Sequence, residues 1–242
     1  MYKRQIVSNP PFKLDFSDFR TELEKDVFKE RFFAGIPKVP KTKKESMAIY
    51  LMFIQHIMHS LNDTGKAAIV VPTGFNTAQS GIEKKIRQRL IDRDWLSGVV
   101  SMPSNIFAST NTNVSVLFLD KNADSSHIIL LDASKLGESV KERNSQRTVL
   151  TTSEEALITT TFNNVVAVKD LSVVVTKEDI ASKNYSFSAG QYFDVKIEYE
   201  EITPEQFDAK LMRIENNLSV LFTESTRLQT QIQKKLKTLK YD

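Results

Sequence analysis

Cysteine is absent from this chain, and its seven glycines are scattered through 242 residues. Without thiols there is no disulfide framework, no thiolate zinc site and no cysteine nucleophile. No Gly-x-Gly follows any strand-like run, so the usual glycine-rich cofactor loop is missing from the stretch at hand. No segment approaches the roughly 20 apolar residues that span a bilayer. The opening residues run directly into a strand-like segment without a signal-peptide pattern, and a cytoplasmic protein with no membrane partner is the simplest expectation. Charge of one sign is not dominant either: the formal net charge of +3 does not by itself announce nucleic acid. What is present, 40% hydrophobic and 26% charged residues, fits a globular chain. The length suits one α/β domain with an appendage or two small domains.

Basic residues do cluster locally, as Lys38, Lys41, Lys43 and Lys44, as Lys84, Lys85, Arg87 and Arg89, and as Lys234, Lys235, Lys237 and Lys240. Each group suits phosphate contact. Each equally suits a solvated face.

The stretch around which the chain is organised is Gln5-Ile6-Val7-Ser8-Asn9-Pro10-Pro11-Phe12. A short apolar run stops at two prolines, which donate no ladder hydrogen bond and restrict the residues before them to extended backbone. The strand must end there, with Asn9 and Phe12 on a stiff turn at its carboxyl end, where ligands of open α/β sheets bind. An amide that donates and accepts, fixed carbonyls and an aromatic ring together suit a flat polar group such as a nucleobase.

Further along, the pattern predicts a helix over 16–33 capped by Asp15 or Ser17, a Pro- and Lys-rich loop over 35–44, and a strongly amphipathic helix over 45–61. His56 and His59 lie on that helix, three apart, with only Asp63 nearby as a further ligand, so surface or interface histidines are favoured over a metal site. Asn62 to Gly65 reads as a turn, Ala67–Val71 as a doubly buried strand, 80–93 as a helix with a basic outer face, and 96–102 as the next strand. This alternation is the βαβ signature. A polar loop over 103–113 precedes a strand at 114–119, and a turn at 121–126 leads to another at 127–132, from which an antiparallel pair is expected. Then follow a short helix near 133–137, a helix over 153–168, a strand at 173–175 and a short capped helix from Thr176. Phe207, Leu211, Ile214, Leu218, Leu221, Ser225, Leu228, Ile232, Lys235 and Leu239 recur at steps of four and three, a heptad seam along a helix over 204–240. Such a stripe needs a partner, and a second chain is favoured over the chain's own globular part.

Asn-Pro-Pro-Phe after a strand resembles the catalytic motif of adenine-N6 DNA methyltransferases. The stretches Gly65–Gly74 and Leu96–Phe107 are similar to those of modification subunits of type I restriction–modification systems. The resemblance implies an α/β fold: a partial S-adenosylmethionine-dependent, Rossmann-like methyltransferase sheet without its N-terminal strands, followed by a long C-terminal helix. It divides the chain into 1–132, the C-terminal half of the catalytic domain, 133–202, its mixed closing segment, and 203–242, a helix for inter-subunit packing. It also assigns roles. Asn9 and the Pro10 carbonyl accept the two amino hydrogens of a flipped-out adenine, Pro11 stiffens the turn, and Phe12 stacks on the base with Phe107 on its other side. Asn9 and Pro11 border S-adenosylmethionine, and DNA is the substrate. Partners implied are a specificity subunit, packing on the 204–240 helix, a second modification subunit and a restriction subunit.

The chain departs from the family pattern where the cofactor is concerned. With the catalytic motif at residue 9, neither the glycine loop nor the acidic residue that holds the ribose has a place. The expectation is a C-terminal portion lacking most of the S-adenosylmethionine site, inactive alone, with an exposed sheet edge. An alternative is a non-catalytic interaction module that recruits a partner through its C-terminal helix. A methyltransferase acting on another amino or amide group is the third reading.

Overall fold

The computed structural model describes residues 3–107, 112–123, 127–142, 145–193 and 203–238. Two compact units are formed, Met1–Asp194 and Val195–Asp242. In the first, strands β1 (Lys3–Ser8), β2 (Leu61–Pro72), β3 (Leu96–Ser101), β4 (Val114–Asp120), β5 (Ile128–Asp132) and β8 (Ser172–Val175) make one sheet in the order β1-β2-β4-β3-β5-β8. Strands β6 (Glu138–Glu142) and β7 (Ser145–Val149) form a separate two-stranded ribbon. The helices of this unit are α1 (Ser17–Leu23), α2 (Tyr50–Ser60), α3 (Gly81–Asp92), α4 (Thr152–Asn163) and α5 (Lys177–Ser182).

β1 and β2 pair in parallel, with Ser8 opposite Ile69. The crossover between them contains α2, whose Leu51, Ile54, Ile57 and Met58 join Ile69, Val71 and Leu117 of the sheet in the main core. The predicted turn at Asn62–Gly65 is instead a bulge inside β2: Lys3 pairs with Leu61 but Gln5 pairs with Lys66. Turn-forming residues here give the strand an irregular start and not an interruption. Met47 is buried outside the helix expected from residue 45, because it packs with Phe16 and Met52 in a satellite cluster while its carbonyl accepts from the Leu14 amide. The predicted 16–33 helix is likewise shorter. Lys25 turns extended (ψ 149°), and the break lets Leu23 and Phe32 both reach the Phe16 cluster. Asp15 accepts a hydrogen bond from the Ser17 amide; that bond, with the Ser17 hydroxyl second, holds its carboxyl below the usual carboxylate range.

The expected antiparallel pairing of the 114–119 and 127–132 strands does not occur. β4 lies between β2 and β3, antiparallel to both, so both its edges are occupied. β5 pairs in parallel with β3 and antiparallel with β8. The segment at 133–137 is turns and bends and not a helix, and the ribbon β6–β7 occupies a stretch that sequence polarity concealed. α4 stops at Asn163 because Val165 takes a left-handed φ of 51° and the Val166 amide bonds back to the Thr161 carbonyl, a helix-ending pattern. The capped helix at Thr176 is present, with Thr176 and Asp179 exchanging reciprocal cap bonds.

Gly98 is where β3 approaches its neighbours most tightly. A Cβ there would stand 2.6 Å from the Ile129 carbonyl oxygen and 2.8 Å from the Phe162 ring. Gly98→Ala is therefore expected to lower unfolding stability by about 1–3 kcal/mol, read as a shifted urea midpoint. Phe162→Ala alongside it should recover only the ring component, since the backbone contact persists.

In the second unit, α6 (Pro204–Thr238) is capped by Thr203, whose hydroxyl accepts from the Gln206 amide while the Gln206 side chain accepts from the Thr203 amide. Its length is about 52 Å at 1.5 Å per residue. Phe207, Leu211, Ile214, Leu218, Leu221, Leu228 and Ile232 of the heptad seam are all exposed. Leu239 and Lys240 lie outside the described residues. Among the described residues, no helix is long and apolar enough to cross a membrane.

Candidate active site

The parallel strands β1, β2, β3 and β5 end at one edge of the sheet, where Asn9, Thr73, Met102 and Ala133 begin the exit loops. At this edge Pro10 is buried while Asn9 and Pro11 are exposed. The double proline therefore sinks one ring and leaves the neighbouring amide reachable from solvent. Phe12 is half-buried and meets Tyr50 edge-on, with centroids 6.3 Å apart at 77°. Tyr50 in turn meets Phe75 at 6.3 Å, and Phe75 meets Phe187 at 6.5 Å. This run of edge-to-face contacts locks the Phe12 ring to the core. Burial, helped by Glu83 and opposed by Arg87, pushes the Tyr50 phenol up, so it remains protonated.

Behind that run sits Arg87, which is fully buried. Its Nε donates to the Tyr185 carbonyl at 2.7 Å, and its terminal nitrogens donate to the carbonyls of Phe75 and Ala78. The guanidinium also lies over the Phe75 and Phe187 rings at 5.7 and 5.8 Å. Burial pulls its pKa down to about 10, against Glu83, Tyr50 and Tyr192, which leaves it charged at neutral pH. Its sequence neighbours place Arg87 among basic residues that suit a solvated face, but the structure buries it, where it ties the exit loop of β2 to the segment after α5. Its place one turn before buried Ile91 on α3 was the signal. Two other members of that basic group are engaged too, Lys84 with the Asn184 side chain and Arg89 over the Phe33 ring at 3.5 Å, while Lys85 is exposed.

A polar cluster missed at the sequence level lies between the strand ends. Asn76 and Ser115 are fully buried. The Asn76 amide donates to the Ser115 hydroxyl at 2.9 Å, and that hydroxyl donates to Ser101 at 3.3 Å. The Phe187 amide donates to the Asn76 carbonyl at 2.9 Å, which seats the closing segment against this loop.

Phe107 follows β3 on the same edge and is half-buried. β2 and β4 separate β1 from β3, about 14 Å across the sheet at the usual strand spacing. Phe12 and Phe107 share the edge, and the ring partner of Phe12 is Tyr50. His56 and His59 sit on α2 beside β1, in a groove of about 750 Å³. Burial, with Arg31 and His59 adding to it, lowers the His56 pKa. Among the described residues, no three metal-ligating side chains converge.

Comparison with known proteins supplies the family. The chain is 28% identical over 239 residues to the methylase subunit of the type I restriction enzyme MpnII of Mycoplasma pneumoniae, covering 98% of this chain and 40% of that protein. It is 26% identical over 245 residues to the MjaIX methylase subunit of Methanocaldococcus jannaschii, covering 97% and 42%. The chain thus spans about two-fifths of the length of these relatives. The fold is similar to that of a type I restriction–modification methyltransferase subunit from Streptococcus thermophilus, with a TM-score of 0.62 at 22% identity over 80% of this chain and 38% of that one. The sheet of mixed strands and flanking helices is accordingly the methyltransferase fold, with a long C-terminal helix added. A family profile described as N-6 DNA Methylase matches residues 2–201, and on that match the chain belongs to the N-6 DNA methylase family.

Proposed function

We propose that this chain is the C-terminal portion of a type I modification subunit, carrying the base-binding half of an adenine-N6 DNA methyltransferase. The observation that carries the reading is the placement of Asn-Pro-Pro-Phe at the carboxyl end of a parallel strand, with Asn9 exposed and Phe12 braced by Tyr50. Transfer to an exocyclic amine is difficult because its lone pair is delocalised into the ring, and the base must leave the duplex to be held. In this reading the Asn9 oxygen and the Pro10 carbonyl accept the two amino hydrogens and localise that lone pair. Phe12 stacks on the flipped adenine, and Phe107, carried by the β3 exit loop, closes over its other face.

S-adenosylmethionine supplies the electrophilic methyl group when bound. The residues present fit only its methyl-bearing end, at Asn9 and Pro11; no strand here is followed by a Gly-x-Gly loop. The rest of the site belongs on the N-terminal portion. β1 ends the sheet, and Val7 on it is 87% exposed, which supports further strands adding there. Calorimetric titration of the folded chain with S-adenosylmethionine tests this. No binding is expected from the chain alone, and binding is expected once the N-terminal portion is supplied. Stoichiometric binding by the chain alone would overturn the division.

In the same reading 1–132 is catalytic, 133–202 closes that domain, and 203–242 packs against a specificity subunit in an assembly with DNA, a second modification subunit and a restriction subunit, in the cytoplasm. The exposed seam of α6 supports the packing role. Replacing Leu211, Ile214 and Leu218 by serine is expected to abolish co-purification with the specificity subunit while leaving the thermal unfolding of the first unit unchanged. Co-purification that survives the triple variant removes α6 from the interface. The interaction-module reading differs in one respect: there, partner binding is the whole function and Asn9→Ala has no consequence.

A further inference from the structure

The sheet edge opposite Asn9 holds a second recess, of about 410 Å³, and its lining is unlike that of the first. Arg31, Arg89, Arg93 and Lys121 line it together with Trp95 and His59, against two carboxylates, Glu30 and Asp63. Trp95 leads into β3 and Lys121 follows β4. The five steps of β3 from Leu96 to Ser101 put about 17 Å between this recess and the base-binding edge.

Three of the cations are held by ring or carbonyl contacts. Lys121 Nζ lies over the Trp95 ring at 4.4 Å and donates to the Leu61 carbonyl at 2.8 Å. The Arg89 guanidinium lies over Phe33 at 3.5 Å, and that of Arg31 over Phe28 at 5.5 Å. Among the described residues, Arg31, Arg89 and Arg93 make no ion pair with a carboxylate, and the Arg31 Nε is a buried donor without an acceptor. A buried donor left unmade is costly, and the arginine fork matches phosphate oxygens in geometry as well as charge. Burial depresses the Arg89 pKa, with Arg93 beside it adding to the effect.

From this geometry we infer that the recess is a binding site for a small phosphate-bearing anion, of the oligophosphate class found in nucleotides, gripped by Arg31, Arg89 and Arg93 with Lys121 at its margin. The volume lies within the range of small-molecule pockets. A concave site behind the sheet favours a compact anion over the convex backbone of a duplex. The inference stands apart from the methyltransferase reading, since it uses none of the residues at the Asn9 edge.

Inorganic triphosphate titrated calorimetrically into the full chain at constant ionic strength tests it. Saturable one-to-one binding is expected, weakened about ten- to hundredfold in Arg89→Gln/Arg93→Gln and unchanged in Lys41→Gln/Lys43→Gln. Arg31→Gln, which leaves α3 untouched, serves as a second variant should the double one unfold, as judged by circular dichroism. A 20-base-pair duplex is the other arm. If the duplex displaces triphosphate and loses affinity in the same variants, the recess contacts a nucleic-acid backbone and the small-anion assignment is overturned. Absent binding by the folded chain, or equal binding by wild type and both arginine variants, overturns the site.

Discussion

Arg87→Met is expected to lower the unfolding free energy by about 3 kcal/mol, the largest stability loss predicted for a single side chain in this unit. Methionine replaces most of the aliphatic stem and the packing against Phe75 and Phe187, so the loss isolates the guanidinium. Three carbonyls, those of Phe75, Ala78 and Tyr185, lose their donor at once. Tyr185 and its neighbour Asn184 both hold left-handed backbone, at φ 58° and 56°, a conformation that a tyrosine keeps only when its surroundings fix it. Relief from burying a charge offsets part of this cost, which is why the figure falls below the sum of three broken charged hydrogen bonds. The measurement is a urea midpoint with the slope held unchanged. Lys85→Met, on the exposed side of the same helix, should stay within about 0.5 kcal/mol. Equal midpoints for the two variants would mean that the exit loop of β2 is held by something other than Arg87.

That arginine also marks where reading the sequence reached its limit. Elements defined by local pattern were legible: the strand stopped by Pro10 and Pro11, the apolar face of α2, the capping box at Thr176, and the heptads of α6. Features that depend on distant partners were not. Leu23 and Phe32 share a face only because the chain breaks between them to reach Met47 and Met52. β4 and β5 are adjacent in sequence and carry ideal hairpin patterning, yet β4 inserts between β2 and β3; periodicity fixes which face of a strand is buried, not which edge is taken. A basic residue among basic residues on α3 reads as solvated until the carbonyls of residues 75, 78 and 185 are seen around it. The candidate site divides in the same way. Asn9 to Phe12 was visible as a motif with its own stereochemistry, whereas Tyr50, Asn76 and Arg87 support it through partners far away in the chain: Tyr50 against Phe12, Asn76 with Ser115, and Arg87 with the Tyr185 carbonyl.

On the proposed function, Asn9→Ala is expected to cut methylation sharply. In a complex rebuilt from this chain, the N-terminal portion and a specificity subunit, the fall in turnover should be about 10²–10³-fold, the range seen when one preorganised hydrogen-bonding group is removed from a reacting centre. Two features make the substitution informative. Asn9 is exposed and its side chain makes no hydrogen bond to the rest of the described structure, so truncation costs the fold little and lost activity reports chemistry. The amide also lies beyond the last paired residue of β1, Ser8 opposite Ile69, so the strand register is untouched. DNA affinity should change by less than about threefold, because phosphate contacts spread over the assembly dominate it, and the loss should therefore fall on kcat and not on KM. Phe12 requires a different substitution. Alanine there would remove both a stacking surface and the edge contact to Tyr50, so Phe12→Trp, which keeps a ring for both, is the variant to compare. It should retain most of the activity, whereas Phe12→Ala should lose about 1–3 kcal/mol of base stacking together with some stability. If Asn9→Ala methylates at the wild-type rate, the amino group is held elsewhere, and Asn-Pro-Pro-Phe is a strand-ending turn whose resemblance to a catalytic motif is fortuitous. If turnover falls as expected while Phe12→Trp remains active, the stiff turn after β1 is where the adenine is oriented for transfer.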